Sequence, residues 1–215
     1  EKGFIPADAE ERDKSWLDTY GMVQTILKYY PEYIPNTYLQ YYLFPEYKVA
    51  HLNSQYTRAD EVINGREKRV FEECAKIIAR GKVDNSVIAR NEAHADMIVD
   101  VATSLAYNQN KSFILITKNN GVIQDFHDDA MIECTALVNA NGIMPLAVGK
   151  LDTFTRGLME GQYAYEKLTV EASFEKSYLK ALQAVTLNRT VVDGIKAKAL
   201  LDDIMEANKD YWILK

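Results

Sequence analysis

Two residues of this sequence have the types needed to abstract a proton together, a tyrosine at 38 and an arginine at 58. Tyr38 lies in the stretch Ile34-Pro35-Asn36-Thr37-Tyr38-Leu39-Gln40-Tyr41-Tyr42-Leu43-Phe44-Pro45. Pro35 fixes its own φ and biases Ile34 away from helix, and Asn36 and Thr37 are good caps, so a helix is expected to begin just before Tyr38 and to end at Pro45. A tyrosine in a first turn sits near backbone N–H groups and the positive end of the helix dipole, which favour the phenolate. Further on comes Tyr56-Thr57-Arg58-Ala59-Asp60-Glu61-Val62, then Gly65-Arg66-Glu67. An Arg58 folded back beside Tyr38 would lower the phenol pKa from about 10 towards that of a usable base.

Spacing alone does not single out Tyr38. Tyr38, Tyr41 and Tyr42 stand at i, i+3 and i+4, the pattern of a packed helix face, and Arg58 reads equally well as a helix N-terminal residue paired with Asp60 or Glu61. His94 opens an apolar helix, where a capping or core histidine is at least as good a reading, and it receives no role. His51 and His127 lie in polar surroundings and are expected at the surface. Cys74 and Cys134 are far apart, form no CxxC and have no metal-ligand spacing, so neither a disulfide framework nor a metal site is expected. No G-x-G-x-x-G follows a strand, so no dinucleotide-binding lobe is expected in this chain.

The elements that must position these residues are mostly helical. Residues 7–30 carry Trp16, Leu17, Tyr20, Val23 and Leu27 on one side and stop at Pro31. From Arg58 to about Ala79, the residues Val62, Arg66, Val70, Phe71, Cys74, Ile77 and Ile78 recur at helical spacing, with Gly81 as the stop. A polar loop near Asp84-Asn85-Ser86 precedes a helix over 94–107, apolar enough to be largely buried. The period then changes. Ser112 to Lys118 reads as a strand bounded by Asn119-Asn120-Gly121, with Val122-Ile123 suggesting a hairpin. Met131 to Val138 reads as a second strand, Asn139 to Gly142 as a turn, and Met144 to Val148 as a further strand. Residues 153–187 read as helical with interruptions near Gly157 and Gly161, with Leu168, Val170, Ala172, Tyr178, Leu182 and Val185 as core. The last helix, 194–208, shows Ile195, Ala199, Leu200 and Ile204. The expected fold is α+β: one mainly helical domain over 1–215 with a small, mostly antiparallel sheet of three or four strands.

Composition narrows the function classes. The chain has 215 residues, 47% of them hydrophobic, and a net charge of −6. That is enough apolar material for a core, and the absence of a basic run argues against nucleic-acid binding. No apolar run is long enough to span a membrane, and no signal peptide is visible, so a cytoplasmic location is expected. Gly3-Phe4-Ile5-Pro6 reads as a linker entering a helix, as if the chain began in the middle of something.

IPNTYLQYYLFP followed by YTRADEVINGRE resembles the C-terminal half of the NAD- and metal-dependent glycoside hydrolase family 4, most of all its 6-phospho-α-glucosidases (maltose-6′-phosphate glucosidases). Asn119-Asn120-Gly121, Leu168-Thr169-Val170-Glu171-Ala172 and Glu206 to Trp212 fit the same pattern, so the resemblance covers nearly the whole chain. This family departs from the paired-carboxylate mechanism. The resemblance implies that NAD⁺ removes hydride from the sugar C3, that a base then takes the C2 proton, and that the C1–O bond breaks by elimination. Water adds, hydride returns, and a divalent metal, usually Mn²⁺, polarises the sugar oxygens.

Carried onto this sequence, the resemblance makes Tyr38 the proton acceptor and Arg58 a substrate contact. It places the NAD-binding fold, the metal ligands and the general acid upstream, so this chain supplies no cofactor-binding or metal residue and is expected to be inactive alone, with neither NAD nor Mn²⁺ fully bound. The implied partners are a phosphorylated disaccharide, the missing N-terminal lobe and a second copy of the chain in a homo-oligomer. A truncated or proteolytic piece and a split-gene product remain open. So do a 6-phospho-β-glucosidase or α-galactosidase of the same family and a non-catalytic module for self-association.

Overall fold

The computed structural model describes residues 14–82, 92–191 and 193–215. The predicted helical residues 7–13, the linker at 3–6 and the loop at 84–86 lie outside them. The element order is α1 (Lys14–Tyr29), α2 (Leu39–Leu43), α3 (Pro45–His51), α4 (Arg58–Glu61), a widened turn (Val62–Arg66), α5 (Glu67–Arg80), α6 (Glu92–Tyr107), β1 (Lys111–Lys118), β2 (Met131–Asn139), β3 (Gly142–Pro145), α7 (Thr153–Glu175), α8 (Tyr178–Leu187) and α9 (Gly194–Ala207). This is the expected mainly helical α+β fold with a three-stranded antiparallel sheet in the order β1-β2-β3. The residues group into two compact units, Glu1–Asn53 with Gly157–Lys215, and Ser54–Arg156.

In the first unit α1 buries Tyr20, Met22, Val23 and Ile26, a stripe at helical spacing. The chain leaves α1 just before Pro31. Helix α2 ends at Leu43, just ahead of Pro45 as expected, and Pro45 also begins α3, because proline fits a first helical position, where no N–H is needed. Gly157 and Gly161 do not interrupt α7, which runs on to Glu175. The break falls at Lys176, whose φ is +56°, and Ser177 caps α8 by accepting from the N–H of Lys180. Ala172, Ala181, Leu201 and Leu214 form a core to which Tyr178, Leu182, Met205 and Trp212 add. Helix α9 turns Ala197 and Leu201 inwards, while Ile195, Leu200 and Ile204 are exposed. It has two apolar stripes, and the one with small residues permits close packing.

In the second unit the sheet follows a period of two. Ile132, Cys134, Ala136 and Val138 are buried, whereas Met131, Glu133 and Thr135 face outwards. The turn predicted at Asn139 to Gly142 closes the β2–β3 hairpin, with Asn139 paired to Gly142, whose φ of +109° suits glycine. The hairpin predicted at Asn119 to Gly121 does not form. Val122 and Ile123 are buried in the 119–130 connection, and the partner of β1 is β2. Fully buried Asn119 holds that connection: its Nδ2 donates to the carbonyls of Ile123, Phe126 and His127, and its Oδ1 accepts from the N–H of Ile123. Helix α6 is not largely buried, since Met97, Ile98 and Val99 are exposed and contact with the sheet falls towards its end. There buried Ser104 donates to the carbonyl of Val138 at 2.7 Å. Helix α5 has no buried residue among those described, and Phe71 is 66% exposed.

Candidate active site

Tyr38 stands immediately ahead of α2, with φ −81° and ψ −20°. Pro35 is buried, and the side chain of Asn36 folds back over the chain. Its Oδ1 accepts from the N–H of Tyr38 at 2.9 Å and from the N–H of Leu39 at 3.2 Å, satisfying donors that a helix start leaves without intrahelical partners. The predicted capping role of Asn36 is thus observed. The Tyr38 side chain is 69% exposed. Of the three clustered tyrosines it is the most exposed, and Tyr41 and Tyr42 are half-buried.

Beneath it lies Gln40, only 2% exposed. Its Nε2 donates to the carbonyl of Thr37 at 2.8 Å and to Oγ1 of Thr19 on α1 at 3.3 Å. Its Oε1 is buried with no hydrogen-bond partner among the described residues. Nothing in the spacing of the sequence marks Gln40. Its one local signal is a long amide in a run of Tyr and Leu, three residues after a threonine.

Arg58 is the first residue of α4, in the second unit, whereas Tyr38 lies in the first. Thr57 and Asp60 form a capping box: Thr57 Oγ1 accepts from the N–H of Asp60, and Oδ2 of Asp60 accepts from the N–H of Thr57 at 2.8 Å. The Thr57 hydroxyl also donates to Oδ2 of Asp60 at 2.7 Å, and this bond, with that from the Thr57 N–H, holds the Asp60 carboxyl below its ordinary value. The Arg58 guanidinium pairs with Glu61 and remains 64% exposed. One helical turn later the backbone widens over Val62–Arg66, and the N–H of Glu67 reaches the carbonyl of Val62.

The remaining candidates stand elsewhere. His94 and His127 are exposed, as is His51, whose ring stacks on Tyr47 at 4.0 Å. Cys74 is exposed and Cys134 buried, both as free thiols. Among the described residues no group of three or more His, Cys, Asp or Glu could hold a metal ion. No helix among them is long and apolar enough to cross a membrane.

A second polar cluster joins α1 to α3. Asp18 accepts from Lys48 Nζ at 2.7 Å and from the Tyr47 hydroxyl at 3.0 Å. Partial burial pushes the Asp18 carboxyl up, but those hydrogen bonds and the charges of Lys48 and His51 outweigh it and hold it below the ordinary aspartate value. Asp18, Gly21, Met22, Thr25, Tyr29, Phe44 and Tyr47 line an open cleft of about 510 Å³. Tyr47 donates to Asp18 and Tyr178 donates to Asp202, and each hydrogen bond pushes its phenol pKa up. A phenol held protonated in this way is a poor proton acceptor, which makes these two tyrosines weaker candidates for a base.

A family assignment follows from residues 5–191, which match the family 4 glycosyl hydrolase C-terminal domain. The chain belongs to this family. It is 48% identical to the phospho-α-glucosidase PagL of Clostridium acetobutylicum, over 94% of this chain and 46% of that protein. It is 31% identical to the 6-phospho-β-glucosidase BglT of Thermotoga maritima, over 83% of this chain and 42% of that protein. A crystal structure of a 6-phospho-α-glucosidase from gut microorganisms, in complex with NAD and Mn²⁺, superposes with a TM-score of 0.90. That protein is 52% identical, and the match covers all of this chain and 49% of the other. The chain therefore spans about half the length of the relatives it matches.

Proposed function

We propose that this chain is the C-terminal, substrate-facing part of a 6-phospho-α-glucosidase acting on phosphorylated α-glucosides of the maltose 6′-phosphate type. The observation that carries this reading is the contrast in identity: 48% and 52% to the two phospho-α-glucosidases against 31% to the 6-phospho-β-glucosidase. Tyr38 is the proton acceptor. It presents an exposed phenol from a backbone fixed by Asn36, and it accepts the proton released from the sugar C2. Arg58 contacts the substrate, where a planar fork suits phosphate or sugar oxygens.

NAD and Mn²⁺ belong to the intact enzyme in this reading. The residues present do not fit either group: no cluster of metal ligands occurs among the described residues, and the sequence has no glycine-rich dinucleotide fingerprint. The chain alone is therefore inactive, and activity requires an N-terminal lobe that brings both cofactors. The reading also carries a cytoplasmic enzyme that assembles as a homo-oligomer.

Hydrolysis of p-nitrophenyl α-glucoside 6-phosphate with NAD⁺ and Mn²⁺ tests this. Turnover is expected when the chain is combined with a separately made N-terminal lobe of a family 4 relative, and not with the chain alone. Turnover by the chain alone refutes the assignment of cofactors to another lobe. Hydrolysis of the β-linked analogue in preference overturns the α assignment. The exposed apolar residues Val70, Phe71 and Ile78 of α5 favour a second reading, a module for self-association, and stable association with no turnover of either linkage supports it.

A further inference from the structure

The peptide group that joins Thr37 to Tyr38 is held at both of its polar atoms by side chains. Its N–H donates to Oδ1 of Asn36 at 2.9 Å, and its carbonyl accepts from Nε2 of Gln40 at 2.8 Å. Fixing that plane fixes the direction in which the Tyr38 Cα–Cβ bond leaves the backbone, although the phenol itself is exposed. Gln40 also reaches Oγ1 of Thr19, which ties the peptide to α1, the helix that buries Val23 and Ile26.

The orientation of the amide follows from its surroundings. Exchanging Oε1 and Nε2 would set one acceptor against another at the Thr37 carbonyl, so the nitrogen must face it. The same orientation leaves Oε1 buried with no partner among the described residues, a cost to folding that an apolar side chain of equal volume would avoid. Burying a half-satisfied amide here makes physical sense when its nitrogen does something that packing cannot.

We infer that Gln40 is a positioning residue for the reaction: together with Asn36 it clamps the Thr37–Tyr38 peptide and aims the Tyr38 phenol at the proton it takes. This inference rests on the reading of Tyr38 as the proton acceptor. A base displaced by about an ångström can lose on the order of a hundredfold in rate while binding is little changed, so the clamp acts on kcat and leaves KM nearly untouched.

The test uses the chain assembled with its N-terminal lobe and three variants. Gln40→Met keeps the side-chain volume and removes the donor. Asn36→Ala breaks the other pole at an exposed position, where the folding cost is no more than that of a lost helix cap. Tyr38→Phe separates the two readings. Three measurements are made: steady-state kinetics (kcat and KM) on the α-linked phosphoglucoside, solvent deuterium incorporation at the sugar C2, and amide hydrogen exchange at Tyr38 and Leu39 in the chain alone.

The clamp predicts a fall of roughly ten- to a hundredfold in kcat and in C2 exchange for both clamp variants, KM within about threefold, and faster exchange at the Tyr38 amide in each. Unchanged kcat in Asn36→Ala or in a folded Gln40→Met, with Tyr38→Phe inactive, overturns the clamp and spares the base. An active Tyr38→Phe overturns the base reading itself. If Gln40→Met does not fold, Asn36→Ala decides alone.

Discussion

Arg58 and Glu61 are ion-paired three residues apart on the same helix, directly behind the capping box that Thr57 forms with Asp60. The direction of the guanidinium is thus set by its own helix before any ligand arrives. A largely exposed pair of this kind contributes little to stability, so exchanging Glu61 for a phosphate or sugar oxygen costs little. In the proposed enzyme Glu61 acts as a placeholder that keeps Arg58 extended along the helix.

Replacing Arg58 should therefore weaken binding and leave the fold intact. Arg58→Ala is expected to raise KM by roughly 10- to 100-fold, the loss of a hydrogen-bonded charge contact of about 1.5–3 kcal/mol. Arg58→Lys should recover only part of it, because a point charge lacks the planar fork. Steady-state kinetics of the assembled enzyme, with thermal melts of the chain, check this. A melting temperature that drops in step with the loss of binding would make Arg58 structural.

Tyr38→Phe removes one oxygen from an exposed ring and disturbs neither the Asn36 cap nor the Gln40 contact, both of which are made to the backbone and not to the phenol. Stability should not change. Turnover should fall by about 10²–10⁴-fold, the usual contribution of a positioned base, while KM stays near its original value. Measuring kcat and KM with a folded Tyr38→Phe enzyme decides whether the phenol is the proton acceptor.

Much of this architecture could be read from residue patterns, and the failures share a cause. Met131 to Val138 reads as a strand and is one, and Pro31, Asn36 and Gly81 mark helix ends correctly, because these are local effects of sterics and capping. Periodicity also found the apolar face of α5, but a stripe says which side wants cover, not whether cover exists, and Phe71 is exposed. In α9 two apolar stripes competed, and packing chose Ala197 and Leu201 over Ile195 and Leu200. The break at Lys176 has no breaker residue to mark it, whereas the glycines upstream are breakers by type and yet stay helical. Tyr38 and Arg58 were singled out by resemblance to a family. Gln40 lies inside the stretch that carries the resemblance, but the resemblance assigns it no role, so only its hydrogen bonds reveal one.

The Asp18–Lys48 pair should make stability depend on pH in one direction. The Asp18 carboxyl is held below its ordinary value of 3.8. A depressed folded-state value means that the stabilising contribution is complete above that ordinary value and is lost as pH falls through the lower, folded one. Asp18→Asn leaves the buried Lys48 ammonium without its counter-charge and is expected to cost roughly 2 kcal/mol at neutral pH, tempered by the partial exposure of Asp18. Denaturant titrations of both proteins between pH 7 and about pH 3 should show the gap narrowing as the acid limit is approached. A gap independent of pH would mean that the pair does not titrate as described.

Asn119 gives the most exposed test of the second unit, because one side chain organises the whole connection between β1 and β2. It makes three donor contacts and one acceptor contact, all to backbone groups of 123–127, and it is fully buried. Asn119→Asp keeps the shape and replaces the amide nitrogen by an oxygen facing three carbonyl oxygens. Ionised, it buries a repelled charge, and protonated, it can satisfy one of the three at most. The expected loss is about 3 kcal/mol or more, and it should ease as pH falls and the carboxyl is protonated. Asn119→Ala should cost less than the charged variant at neutral pH, because it leaves unpaired groups but adds no repulsion. If the two variants are equally stable at pH 7, the three-carbonyl arrangement around Asn119 is wrong, and the 119–130 connection must be held by its apolar residues Val122, Ile123 and Phe126 instead.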